Sequence, residues 1–373
     1  MPDKAAIRAE AQRLLERFIQ AGAQPVEADI LLPAETLLDL YGEDIRARAY
    51  VTADPLQGEM MLRPDFTVPV VQMHMKGGAE PARYAYAGEV FRRQEHRGPR
   101  AREYFQAGFE LFARDDREAA DAEVFALFAE VLAPLNLRPA TGDIGILRAA
   151  VEGLSTSPAR KAALLRHIWR PQRFRTLLDR FGGRLAPPEA RKRLIESLAQ
   201  ATPEDLVAGA GPRIGLRAPE EIAARARALA EDAAVAPISA AEVDVLDDVL
   251  KLRGQAPAAL AHLRDVAVDL PAIQPAVDRL ARRLEALAAR GIGVDDLDFE
   301  ASHGRSTMEY YDGFVFSFHA EARADLPPVA TGGRYDALTR VLGKSLEGGA
   351  REIPAVGGVI RPGLVVALRE GTA

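Results

Sequence analysis

The chain of 373 residues contains no cysteine. Disulfides, thiolate nucleophiles and thiolate-ligated metals are therefore excluded. It has no apolar run long enough to cross a bilayer. The start, Met1-Pro2-Asp3-Lys4, is polar and lacks the apolar stretch of a secretory signal. The expectation is a cytoplasmic protein without membrane contact. Nor is there an excess of basic charge. With 48 Lys+Arg against 54 Asp+Glu, the formal net charge is −6, the wrong sign for a protein that grips nucleic acid along its length. Internal repeats, low-complexity tracts and coiled-coil heptads are also absent. What is present is ordinary for a globular protein, 48% apolar and 27% charged residues, in a chain long enough for two or three folding units.

Apolar residues at Ile7, Ala11, Leu14, Leu15, Phe18 and Ile19 predict a helix from Ala5 that ends at Gly22. A short helical pattern follows Pro33 and Glu35. Residues 48–53 and 59–63 read as strands around the turn Asp54-Pro55-Leu56-Gln57-Gly58, and Phe66 to Lys76 as a helix. Residues 83–92 and 103–113 alternate as strands, joined by a polar loop that carries Arg93, Arg97, Arg100 and Arg102. Loops of this length inside compact domains usually bind something. Glu118 to Leu132 reads as a buried helix. From about 155 to 290, Ala, Leu and Arg dominate, and Pro and Gly punctuate short helices. Strand signals return at 297–301, 313–319, 329–331 and 355–360. The pattern predicts an α+β fold on an antiparallel sheet, with core segments at 1–154 and 291–373 around a mainly helical insertion at 155–290.

Several residues could carry chemistry. Asp65 and Thr67 stand two apart at a strand-to-helix junction and could accept an ammonium group; taken alone, helix capping is the commoner use of such a pair. Gln106 and Glu110 project from one face of a strand, with Gly108 between them leaving room for a ligand or a backbone. Arg92 lies on the preceding strand. Polar alternation on a solvated sheet face explains the same spacing equally well. Tyr310-Tyr311 reads as strand packing, Gly332-Gly333 before a helix as a turn. His96, His303 and His319 show no metal-ligand spacing, so no metal or cofactor is expected. The loop arginines could bind phosphate or be merely solvated.

Taken in order, these segments resemble the histidyl-tRNA synthetase family. Pro33 looks like the proline of class II motif 1, Phe91-Arg92 through Gln106 to Glu110 like motif 2 and its histidine-reading extension, and Tyr310-Tyr311 like the histidine-loop tyrosines. Gly332-Gly333-Arg334-Tyr335-Asp336 matches the second family signature, and Ala355-Val356-Gly357 the opening of motif 3. The resemblance spans about 5–150 and 295–363. It implies a class II aminoacyl-tRNA-synthetase-like antiparallel sheet flanked by helices. It also implies a histidine pocket: Asp65, Thr67 and Gln106 on the α-amino group, Arg92 by the carboxylate, Glu110 and Tyr311 on the imidazole, Tyr310 beside them, and Tyr335 closing the pocket. An imidazole offers one donor and one acceptor, and a buried site that pairs both rejects apolar isosteres.

The departures point away from catalysis. Where the synthetases carry an arginine for the ATP α-phosphate this chain has Ser306, with Arg305 one residue off. Motif 3 of the synthetases ends in Gly-x-Glu-Arg, whereas here the chain runs Ile360-Arg361-Pro362-Gly363-Leu364. Gln94 stands where motif 2 has a glutamate. Each lost preorganised cation costs adenylation about 10²-fold or more. The chain ends about ten residues past motif 3, so no anticodon-binding domain is expected. Leu62-Arg63-Pro64-Asp65-Phe66-Thr67 and Val359-Ile360-Arg361-Pro362 look like the regulatory subunits of ATP phosphoribosyltransferase. That resemblance implies a non-catalytic, histidine-binding protein with a short-form catalytic subunit as partner, a homodimer within a hetero-octamer, no tRNA, and feedback inhibition of the first step of histidine biosynthesis. The alternatives are a histidine-adenylating ligase with a non-tRNA acceptor, and a scaffold with a vestigial pocket.

Overall fold

The structure, a computed structural model, describes residues 2–35, 38, 48–94, 101–211, 215–305, 310–343 and 352–371. Ser306, Glu95, His96, Arg97 and Arg100 lie outside them. Among the described residues no helix is long and apolar enough to cross a membrane.

Nine strands form the main sheet, in the order β1-β5-β6-β12-β11-β10-β7-β9-β8. They are β1 (Gln24–Pro25), β5 (Ala82–Phe91), β6 (Glu103–Phe112), β7 (Arg138–Asp143), β8 (Arg253–Gln255), β9 (Asp298–Glu300), β10 (Phe314–His319), β11 (Ala330–Arg334) and β12 (Ala355–Ile360). The six central strands are antiparallel throughout; parallel pairing is confined to β1 with β5 and β7 with β9. The expected α+β class and antiparallel core are borne out. The strands nearest the C-terminus, β12 and β11, enter between β6 and β10, so chain segments about 250 residues apart share one surface. A smaller sheet holds β2 (Leu31–Pro33), β3 (Val51–Asp54) and β4 (Gly58–Leu62) in the order β2-β4-β3. Sequence reading missed β7, whose Arg138-Pro139-Ala140-Thr141-Gly142-Asp143 has neither β-branched density nor clean alternation.

The two faces of the main sheet differ in chemistry. Phe109, Gly358, Gly332 and Phe316 are register partners across four strands and share one face. The ring of Phe316 occupies the space above Gly332. Helix Arg117–Leu132, capped by Asp116 accepting from the Ala119 amide at 2.8 Å, covers that face. Its Phe125 and Phe128 meet Phe314, Phe316 and Phe318 at ring separations of 5.3–6.3 Å. Phe18 from helix Lys4–Gln20 stacks on Phe128 at 5.5 Å. Burial of these rings holds the layers together, each contributing on the order of 1.5–3 kcal/mol. The opposite face carries Tyr86 and the polar Glu110, with Gly108 and Gly357 beside them.

Among the described residues of segment 155–290, the regular structure is helical apart from β8. Helices Glu189–Leu198 and Pro203–Gly209 bury no side chain, and Pro219–Ala234 buries only Ala223. Helix Gln274–Ala289 is different: its Arg283 is buried against the core, bonded to Asp121 and Asp143 at 2.8 Å each.

Candidate functional site

The polar face of the sheet centres on Glu110, which is 1% exposed. Three hydroxyls donate to its carboxylate: Thr67 to Oε1 at 3.0 Å, Tyr86 to Oε1 at 2.8 Å and Tyr335 to Oε2 at 2.6 Å. Thr67 opens helix Thr67–Met75, Tyr86 stands on β5, and Tyr335 follows β11. Room for this arrangement comes from glycine. A Cβ at Gly357 would lie 1.6 Å from Glu110 Oε2, so no other residue fits there unless Glu110 moves. Gly108 was expected to leave space for a ligand or another backbone. That space is instead filled by the Tyr86 ring, whose atoms stand 2.3–2.4 Å from where a Gly108 Cβ would be. Tyr86 is thus a site residue that the sequence reading missed, although its two-residue offset from Gly88 on an alternating strand was a usable signal.

Burial dominates the electrostatics. It pushes the Glu110 carboxyl up to about 7, against the opposing pull of the Tyr335, Tyr86 and Thr67 hydroxyls, with nearby Asp65 adding to the rise. Burial likewise raises Tyr86, Tyr310, Tyr311 and Tyr335 well above the usual phenol value, so all four remain neutral donors.

The remaining expected residues fall around this centre. Tyr310 donates to Thr67 Oγ1 at 3.4 Å and packs edge-on to Tyr311 at 4.8 Å and to Tyr335 at 6.0 Å. Tyr311 is 4% exposed. The pair precedes β10 and is not in a strand. Asp65 Oδ1 sits 3.4 Å from the Val68 amide, a long capping contact, while Thr67 spends its hydroxyl on Glu110 rather than on a cap. Arg92 donates from Nε to the Pro64 carbonyl at 2.9 Å, next to Asp65. Gln106 is fully buried, and neither of its amide atoms has a hydrogen-bond partner among the described residues. Gly332-Gly333 is no turn: both residues lie in β11, paired with Gly358-Gly357.

A buried ion network holds the tyrosines in place. Arg334 is bonded to Asp121 Oδ1 at 2.9 Å and Asp336 Oδ1 at 3.0 Å, and Asp121 also accepts from Arg283 at 2.8 Å. Asp336 accepts from the Ala355 amide at 2.9 Å. Asp312, next to Tyr311, accepts from the Asp336 and Ala337 amides at 3.1 and 2.8 Å. Burial, then the like charge of Asp336, pushes Asp312 up to about 6. The segments bearing Tyr311 and Tyr335 are thereby tied to each other and to the helix layer.

Of the two arginines near the nucleotide-clamp positions, Arg305 donates to the Ile168 carbonyl at 2.7 Å and lies over the Phe174 ring at 4.9 Å. Burial and neighbouring Arg175 bring its pKa down to about 10. Arg361 donates to the Pro328 carbonyl. Among the described residues no group of three or more His, Asp or Glu could hold a metal; His303 and His319 both bond the Ser317 hydroxyl, at 2.8 and 2.7 Å.

A family model described as histidyl-tRNA synthetase matches residues 1–256 and 220–360. An ATP phosphoribosyltransferase regulatory subunit from Brucella anthropi is 33% identical over 357 residues, 90% of each chain, and one from Brucella canis matches to the same extent. Among solved structures, an ATP phosphoribosyltransferase regulatory subunit/histidyl-tRNA synthetase from Bacillus halodurans superposes with TM-score 0.67 at 21% identity, over 99% of this chain and 81% of that one. A histidyl-tRNA synthetase from a Nostoc species gives TM-score 0.62 at 16% identity, over 98% and 72%.

Proposed function

Since the chain belongs to the histidyl-tRNA-synthetase-like family of ATP phosphoribosyltransferase regulatory subunits, we propose that it binds free L-histidine at the Glu110 site, activates a short-form catalytic subunit, and conveys feedback inhibition to it. The observation that carries the ligand is Gln106. A fully buried amide with neither atom paired is rare in a folded interior, and an amino acid bound beside it supplies both an acceptor and a donor. Asp65 and Thr67 stand ready for the ammonium group, Arg92 for the carboxylate, and Glu110 with Tyr310, Tyr311 and Tyr335 for the imidazole. Feedback inhibition then requires that histidine bind the inhibited assembly more tightly than the active one.

The subunit is itself non-catalytic in this reading. Adenylation needs cations aimed at a phosphate; Arg305 is held by the Ile168 carbonyl and the Phe174 ring, with its buried Nη2 unpaired among the described residues, and motif 3 lacks its Glu-Arg pair. The partner supplies the transferase chemistry, the assembly is a homodimer within a hetero-octamer, and tRNA is not a ligand. Co-expression with a short-form catalytic subunit tests the role: transferase activity should depend on this chain and fall when histidine is added. An adenylating ligase is the second reading, favoured only by Arg361, whose charge lies near Arg92. Histidine-dependent ATP–pyrophosphate exchange by the purified chain would establish it and refute the first.

A further inference from the structure

The polar face continues beyond the residues described so far. β12 ends its ladder with β6 at Ile360 opposite Ala107, yet the backbone stays extended at Arg361 (φ −100°, ψ 96°) and the Arg361 amide donates to the Val329 carbonyl at 2.9 Å. Alternation then sets Arg361 on the face of Gly357 and Val359, and the register carried one residue further sets it opposite Gln106. On the other flank of β12, Thr331 pairs with Val359. Its side chain emerges on the same face, diagonal to Arg361 at roughly 7–8 Å between backbones, within reach of a long side chain. Three neighbouring strands thus bring an amide, a guanidinium and a hydroxyl together.

Two members of this group are unsatisfied. The Thr331 hydroxyl, like both Gln106 amide atoms, is buried without a partner among the described residues. Arg361 has no carboxylate partner among the described residues, and its bonds go to the Pro328 carbonyl and the Tyr104 hydroxyl. Burial, then the like charge of Arg92, holds its pKa down despite the favourable contact with Tyr104. Two guanidinium groups near one another beside two unpaired polar groups call for an anion.

We propose that Arg361, with Gln106 and Thr331, forms an anion subsite at the end of the amino-acid pocket that takes the ligand's α-carboxylate together with Arg92 and makes a free carboxylate obligatory for binding. The proposal rests on the amino-acid-binding reading given above. Gln106 can donate through Nε2 to the carboxylate while its Oε1 accepts from the ammonium group. A phosphate group would satisfy the same donors, so the test must separate the two anions.

The experiment is calorimetry on the full chain with L-histidine, with L-histidinol (an alcohol in place of the carboxylate), and with inorganic phosphate and ATP. The wild type should bind histidine at least ~100-fold more tightly than histidinol, as expected for loss of charge-assisted bonds to two arginines. Arg361→Gln should weaken histidine by ~10- to 100-fold and leave histidinol within about threefold. Arg361→Lys keeps the charge and the buried stem, and should lose less than the Gln variant. Thr331→Val is isosteric and removes a hydroxyl that has no partner to lose, so it should weaken histidine about fivefold with no fall in the unfolding midpoint. Equal effects of Arg361→Gln or Arg361→Lys on both ligands, or a Thr331→Val protein that binds histidine as the wild type does, would overturn the proposal. So would phosphate or ATP binding that vanishes with Arg361 while histidine binding persists. A wild type that binds no histidine would refute the amino-acid reading itself; histidine binding that ignores Arg361 would refute this subsite alone.

Discussion

Replacing Glu110 by Gln separates the two physical roles of this side chain. The buried carboxyl titrates at about 7 in the folded chain against 4.5 for the ordinary value. The sign follows from proton counts. As pH rises from about 4.5 to about 7, the unfolded chain gives up its proton while the folded chain retains it, so folding stability falls across that window and levels off above it. At ~1.4 kcal/mol per pH unit, the full loss is on the order of 3 kcal/mol, most of which falls between pH 5 and pH 8. Glutamine has nearly the same shape, does not titrate, and can still accept from Thr67 and Tyr86 through its carbonyl oxygen. The stability of Glu110→Gln relative to wild type, from urea unfolding at a series of pH values, should therefore rise by roughly 2–3 kcal/mol from pH 5 to pH 8, because every other titration is shared and cancels. Histidine binding should move the other way. An anionic acceptor for an imidazole N–H contributes about 1.5–3 kcal/mol, so the variant should bind histidine ~10- to 100-fold more weakly at pH 8. A stability difference that does not change with pH would refute the burial argument, and undiminished histidine binding would remove Glu110 from the ligand site.

Two further substitutions probe the packing around that carboxylate. Tyr335→Phe deletes the 2.6 Å bond to Glu110 Oε2 and strands a buried acceptor, which should cost about 1–3 kcal/mol in urea unfolding and move the titration seen in the Glu110→Gln comparison to still higher pH. Gly357→Ala places a methyl group 1.6 Å from Glu110 Oε2 and 2.7 Å from the Phe109 carbonyl; since the carbonyl belongs to the sheet and cannot yield, the variant should lose about 3 kcal/mol of stability, measured in the same way, with histidine binding abolished.

How much of this was legible from sequence depended on whether the information was local. Helix Lys4–Gln20, the turn at Asp54 to Gly58 and strands β5, β6, β10 and β12 announce themselves through periodicity and glycine, because each buries one face or turns on one residue. β7 has no such signature: it is a strand because β10 and β9 flank it, a tertiary cause that residues 138–143 do not contain. One glycine pair misled for a related reason. Gly332-Gly333 looks like a turn when read singly, and only its pairing with Gly358-Gly357 across β11 and β12 reveals a patch onto which the Phe316 ring and the Glu110 carboxylate close from opposite sides.

The site followed the same rule one level up. Strand alternation placed Gln106 and Glu110 on one face, and motif order nominated the tyrosines. Neither could say that the acceptor capacity of Glu110 is largely taken by Thr67, Tyr86 and Tyr335, because those donors come from three separate chain segments. That occupancy has a functional consequence. A carboxylate already receiving three hydroxyls is fixed in direction before any ligand arrives, so binding need not pay the cost of orienting it. Gln106 is the opposite case: equally buried, it is left unpaired on both amide atoms, and its desolvation has been met with no return. A fold that satisfies one polar side chain threefold and leaves its neighbour four residues along the same strand with none has not simply lost a site by neglect, because erosion would first replace the unpaired amide with an apolar residue of similar volume, at a gain in stability.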